Sequence, residues 1–301
     1  MGGKKKVGRN EICHCGSRKK FKHCHGAPDV GKISKGEHTN TPPRLLRPYS
    51  ELPEIAAARR VQIIDLCRLE FEFVDDCLAL AAQVVEALGD IEPKTSEEVA
   101  IRDLACDAFD FLYASKETLA ENSVTVVFPL MRRAYEDISL LAAFVSNRSL
   151  ASRWASGGRI KNEDVRKQLE TSPLMGPGEV QQIKDMYRHF SSGTHPNRTH
   201  LPFSFLGQGN MFTLGAIPPV DALIIGGHLQ YLMGLAYWYI GVLGWEFAPT
   251  CMSVGGDFTR FVLGLTPRIN ELMPRLIQQL EAMRNSAGEP PGDIGPRDLI
   301  E

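Results

Sequence analysis

The chain is 301 residues long, enough for one large domain with a small appendage and too long for a short peptide factor. With 43% hydrophobic and 23% charged residues and no biased repeat, it can bury a sizeable core and is not globally disordered. The formal net charge of −2 hides an asymmetry: residues 1–50 hold twelve Lys/Arg against three Asp/Glu, net +9, and the remainder holds 22 against 33, net −11. A basic arm on an acidic body is expected to seek polyanions or acidic partner surfaces.

The cysteines divide in the same way. Cys13, Cys15 and Cys24 crowd into twelve residues, whereas Cys67, Cys77, Cys106 and Cys251 are scattered through apolar helical text. An odd total of seven, a polar Lys-rich start and no signal-peptide pattern predict a reducing, cytoplasmic compartment, where clustered thiols hold metal rather than form disulfides.

Residues 1–26 are too short and too polar to make a core without a staple, and 27–53 are Pro-, Gly-, Ser- and Thr-rich, which reads as a flexible linker. From Glu54 the text takes on helical period. Ile55, Ala58, Val61, Ile64, Cys67, Leu69, Phe71, Val74, Leu78, Ala81, Val85 and Leu88 mark one long amphipathic helix ending at Gly89. Thr95 opens a second helix running towards Asn122, and a third spans 124–145 with Pro129 in its first turns. Shorter helical segments are expected at 149–171 and 178–194, then an irregular stretch at 196–219 with room for a hairpin at 203–214.

Residues 222–245 contain no Asp, Glu, Lys or Arg, long enough to span a hydrocarbon core. His228, Gln230, three tyrosines and five glycines instead favour a central helix buried by its neighbours, with membrane contact as the alternative. A last helix is expected at 257–284, interrupted near Pro267 and Pro274, and 286–301 read as a disordered tail. The fold class expected is all-α: a helical domain over 54–285 preceded by a short knuckle on its linker.

The strongest chemical signal is Cys13-x-Cys15-x8-Cys24-His25. Three thiolates and an imidazole are the donor set that Zn²⁺ takes in closed tetrahedral structural sites, so one structural zinc per chain is expected. Three thiolates on one dication leave a net −1, which Arg18, Lys19, Lys20 and Lys22 favour while lowering the thiol pKa values.

The run from Gly8 to Gly26 resembles the SEC-C zinc-binding motif, found at the end of the SecA translocation motor and appended to many bacterial proteins. Family members commonly carry Pro before each of the first two cysteines, Gly after the Ser, and Tyr in the helical turn; here Ile12, His14, Arg18 and Phe21 stand instead. His25 is an accepted last ligand, with His14 and His23 close by. The resemblance implies binding to an acidic protein surface or to the ribosome, and the charge fits RNA as well. Lys4, Lys5, Lys6, Arg18, Lys19, Lys20 and Lys22 are the expected contacts; the alternative is that they only keep a small domain soluble.

A second resemblance lies in the body. Arg188-x6-His195, with Pro196 following, is similar to the R-x(4 to 6)-H signature of HEPN-fold ribonucleases, which are all-helical and usually dimeric. It also resembles a Tyr-x3-Ser-x3-His-Pro pattern in bacterial helical domains of unknown function carrying an earlier Arg-Arg-x-Tyr-Glu segment, here Arg132 to Glu136.

That likeness implies metal-independent RNA cleavage of a toxin or phage-defence kind. His195 would move the proton, Arg188 would hold phosphate, and a homodimer would bring two pairs together. The competing reading is structural. Arg188, His189 and His195 would serve a helix C-terminus, and Arg132, Arg133 and Glu136 an ion-pair network. The leading expectation is therefore a non-catalytic adaptor whose knuckle recruits an acidic partner, with the ribonuclease as alternative.

Overall fold

The computed structural model describes residues 52–172, 176–194, 222–253 and 258–286. The chain divides into two units, Met1–Arg47 and Pro48–Glu301, and every described residue lies in the second. The knuckle, the 203–214 hairpin, His195, His200 and the tail all fall outside the described residues.

Among the described residues the fold is all-α, with ten helices and no strand. They are α1 Leu52–Leu66, α2 Arg68–Gly89, α3 Ser96–Ala120, α4 Val124–Ser146 and α5 Arg148–Ala155, then α6 Asn162–Glu170, α7 Pro177–Thr194, α8 Ala222–Glu246, α9 Ala248–Ser253 and α10 Phe258–Ser286. Thr95 caps α3 as its sequence suggests: its hydroxyl accepts from the Glu98 amide at 3.2 Å.

Three expectations are corrected. The helix expected from Glu54 to Gly89 is two, broken at Cys67, whose φ of −128° and ψ of 44° leave the helical region. No proline or glycine marks the break, so apolar periodicity runs straight through it. The segment 149–171 is also two helices, because Gly157 adopts φ +82° and the backbone turns back on α5. A Cβ on Gly158 would lie 2.6 Å from the Arg153 carbonyl oxygen, so the Gly157-Gly158 pair is what makes this turn possible.

Conversely, α10 runs unbroken through Pro267 and Pro274. Each proline lacks the N–H that would bond the carbonyl four residues back, on Leu263 and Asn270. These four residues are all exposed, so water satisfies the freed carbonyls and the helix continues. The short α9 was not anticipated.

The core gathers around α4 and α8. α4 packs against α3, α6, α7 and α8, and α8 packs against α2, α3, α4 and α10. Ile225, Leu229, Leu232, Leu235, Ala236, Tyr239 and Leu243 of α8 are all buried, which makes it the central helix expected from its composition. No described helix is long and apolar enough to cross a membrane.

Polar ties join the layers. Arg148 of α5 grips Glu246 of α8 with bonds of 2.6 and 2.7 Å, Lys116 of α3 meets Asp75 of α2 at 2.6 Å, and Arg268 of α10 pairs with Asp76 of α2. Asp75 and Asp76 thus tie helices together while remaining partly in solvent.

Phe190 pins α7 to this core. It is fully buried, with its ring 5.9 Å from Tyr135 and 5.6 Å from Tyr231, edge-on to each. Phe190→Ala is expected to cost about 3–5 kcal/mol, the usual loss for a buried aromatic ring, read as a lowered urea midpoint with an unchanged slope.

Candidate functional site

The described polar residues converge on a cavity of about 340 Å³ enclosed by α3, α4, the α5–α6 turn, α6 and α7. Its origin is the amphipathic register of α4. Ala134, Ile138, Leu141 and Phe144 form the buried stripe, and Asp137 and Ser139 stand close enough to it to be carried inside. Asp137 is only 2% exposed and Ser139 4%. Burying such groups is costly unless their hydrogen bonds are met.

They are met only in part. Asp137 Oδ2 and Ser139 Oγ have no partner in hydrogen-bond geometry among the described residues, although the Tyr135 hydroxyl lies within reach of Ser139. Arg133 Nε lies 3.0 Å from Asp137 Oδ2, close enough for ion pairing but without hydrogen-bond alignment. Burial pushes the Asp137 carboxyl from its ordinary 3.8 up to about 7; the Arg133 guanidinium pulls it back, and the charges of Asp107 and Glu136 push it further up. Asp137 is therefore a carboxyl poised between its two protonation states near neutral pH, facing a cavity.

The walls are aromatic and basic. Tyr135 is buried, and that burial pushes its phenol up to about 12, so it stays protonated. Tyr187 of α7 accepts a hydrogen bond from Asn162 Nδ2 at 3.1 Å, and its ring stands 5.9 Å from that of Tyr135. Trp154 closes the α5 end. Arg159 from the glycine turn and Arg166 from α6 are exposed residues that line the cavity, and neither forms an ion pair with a described residue.

The residues singled out from the sequence are placed differently. Arg132 pairs with Glu136 at 3.0 Å within α4, and Arg133 reaches both Asp137 and, at 3.9 Å, Asp107 of α3. This is the ion-pair network weighed earlier, with one half of it opening on the cavity. Arg188 sits on the exposed side of α7, tied at 2.7 Å to Asp185, which also accepts from Gln181 at 3.0 Å. His189 is directed elsewhere: its ring stacks on Tyr231 at 4.2 Å and meets Phe128 at 5.2 Å. His228 is buried, with Nδ1 2.7 Å from the Ile224 carbonyl oxygen.

Asp137 and Ser139 were missed in the sequence. The available signal was an acidic residue immediately before Ile138 in the apolar face of α4, three residues after Ala134.

No group of three or more potential ligands clusters among the described residues. Burial raises the thiol pKa of Cys67 and of Cys251 to about 11 and that of Cys77 to about 12, which keeps them protonated and poor as ligands.

Residues 9–27 carry a SEC-C motif. Cys13, Cys15, Cys24 and His25 all lie inside that match. The protein translocase subunit SecA of Pseudomonas fluorescens (strain Pf0-1) is 81% identical over 21 residues, 7% of this chain and 2% of its own length. The SecA of Bartonella tribocorum (strain CIP 105476 / IBS 506) is 82% identical over 22 residues, with the same shares. The chain thus spans about 2% of the length of these curated relatives. The chain matches no solved structure.

The titration of Asp137 has a consequence for stability. The folded protein holds this proton up to about pH 7, whereas the unfolded chain releases it near 3.8, so between those values the folded state binds more protons. Stability contributed by the group is therefore full at low pH and is lost as pH rises to about 7, by up to roughly 4 kcal/mol. Asp137→Asn should remove this slope and raise the urea midpoint at pH 8 relative to wild type; an unchanged slope between pH 5 and 8 would show that the carboxyl titrates normally.

Proposed function

We propose that the chain is a zinc-dependent capture module joined to a helical adaptor body, the knuckle recruiting a polyanionic partner: an acidic protein surface, the ribosome or RNA. The observation that carries this reading is the SEC-C motif at 9–27, which encloses three thiols and an imidazole in a segment with no apolar core of its own.

The donor set fits zinc. Cys13, Cys15 and Cys24 supply soft thiolates and His25 the fourth donor, and the neighbouring cations favour their ionisation. When bound, the ion supplies a structural cross-link without an open position, since the protein fills all four. The lysines and arginine then do the recruiting. Lys4, Lys5, Lys6, Arg18, Lys19, Lys20 and Lys22 concentrate positive charge near the motif, against a net −11 over the remainder. Attraction of this kind is strong at low salt and screened as salt rises.

A non-catalytic body is favoured by the surroundings of Arg188. Its guanidinium is matched by Asp185, so less of its charge is left to hold a phosphate. Such a protein would act in the cytoplasm, as a homodimer if the α-helical body associates with its copy.

Elemental analysis of the reduced, purified protein should give about one zinc per chain, falling to background in Cys13→Ser/Cys15→Ser. Binding to a polyanion, measured with labelled RNA and with heparin, should weaken roughly tenfold or more when Lys19, Lys20 and Lys22 are replaced by Glu, and should fall steeply with salt. Metal-free wild-type protein, or binding indifferent to these charges, would defeat the proposal.

The enzyme alternative has its own test. Total RNA incubated in EDTA with wild type or His195→Ala should remain equally intact. Cleavage by wild type alone would replace the adaptor reading with a metal-independent ribonuclease using Arg188 and His195.

A further inference from the structure

The cavity beside Asp137 lies in the helical body. Its floor and rim have opposite requirements. At the floor, Asp137 Oδ2 and Ser139 Oγ are buried polar atoms with no hydrogen-bond partner among the described residues, and an enclosed acceptor in that state needs N–H or O–H donors. At the rim, Arg159 and Arg166 are exposed cations that form no ion pair among the described residues, Arg166 standing on α6 between Glu163 and Glu170, and both can take an anion.

α6 begins at Asn162, three residues after Arg159, and its first turn already carries the carboxylates of Glu163 and Asp164. Aromatic rings, Trp154 and Tyr187 among them, line the same space. The volume, about 340 Å³, is that of a small-ligand site rather than a single water.

Several ligand classes fail one of these conditions. A free inorganic anion would satisfy the arginines and leave Asp137 as it is. A divalent cation would suit Asp137 and Glu136 but face the three arginines that line the same space. A simple amine would be repelled by the same cations, and a free amino acid carries its ammonium and carboxylate too close together to serve floor and rim at once. What remains is a flat molecule with adjacent N–H donors at one end and an anionic group at the other.

We propose that this cavity binds a guanine mononucleotide. The Asp137 carboxylate accepts from the ring N1–H and the exocyclic amine, Trp154 and Tyr187 flank the base, and Arg159 and Arg166 hold the phosphate. A carboxylate matches guanine because it offers two parallel acceptors, whereas adenine presents one donor beside one acceptor on the corresponding edge. Arg133, already 3.0 Å from Oδ2, favours the ionised carboxylate that this pairing requires.

Isothermal titration of the full-length protein with GMP, IMP, AMP and inorganic phosphate tests this at pH 7.5. GMP should bind at least tenfold more tightly than AMP, and IMP, which lacks the exocyclic amine, should fall between them. Inorganic phosphate should give no heat at about 1 mM, since it reaches only the rim. Asp137→Asn, nearly isosteric and checked for its fold by circular dichroism, should abolish the preference for GMP over AMP. Arg166→Ala should weaken both nucleotides by a similar factor. The proposal is overturned if no nucleotide binds at about 1 mM, if AMP or inorganic phosphate binds as tightly as GMP, or if Asp137→Asn keeps the wild-type preference.

Discussion

Packing α4 against α3, α6, α7 and α8 removes from water a helix that carries a continuous apolar stripe and, next to it, a carboxyl group. Apolar burial around Ile138, Leu141 and Phe144 is what holds these helices together, at roughly 25 cal/mol for each Å² removed from water. Asp137 is drawn in by the same contacts. Its raised pKa, its misaligned pairing with Arg133 and the polar cavity in front of it are consequences of how α4 is enclosed. A structure selected for stability alone would place an apolar residue there, and a buried group left without hydrogen bonds is the kind of local conflict that marks a functional position.

The α5–α6 turn makes the cavity possible. Gly157 reverses the chain with a positive φ, and Gly158 lies so close to the Arg153 carbonyl that a side chain would not fit. Together they stop α5 after eight residues and bring Arg159 and the start of α6 back over α4. A single helix across this span would carry the same residues away from the cavity. The ion pair between Arg153 and Asp164, 2.9 Å long, fastens the two short helices once the turn is made.

Two chemistries of cysteine coexist in one chain for an electrostatic reason. Cys67, Cys77 and Cys251 are packed among apolar side chains, where an ionised thiol would be poorly solvated, and they remain hydrophobic filling. Cys13, Cys15 and Cys24 sit in a sequence crowded with lysine and arginine and within a SEC-C motif, where thiolates are favoured. Charge divides along the same line, net +9 over residues 1–50 and net −11 over the remainder.

By itself the sequence determined the all-α class, most helix positions, the cap at Thr95, the buried character of 222–245 and the SEC-C motif. Each of these depends on local spacing or on ligand types at short range, which a linear reading contains. Only the tertiary structure decided that Cys67 breaks a helix with no breaker present, that Pro267 and Pro274 do not, and that Asp137 faces a cavity rather than water. Those outcomes depend on what the other helices leave exposed. The carbonyls that the prolines free lie on the exposed side of α10, within reach of solvent, while burial within α4's packing turns an ordinary carboxylate into one that titrates near neutrality.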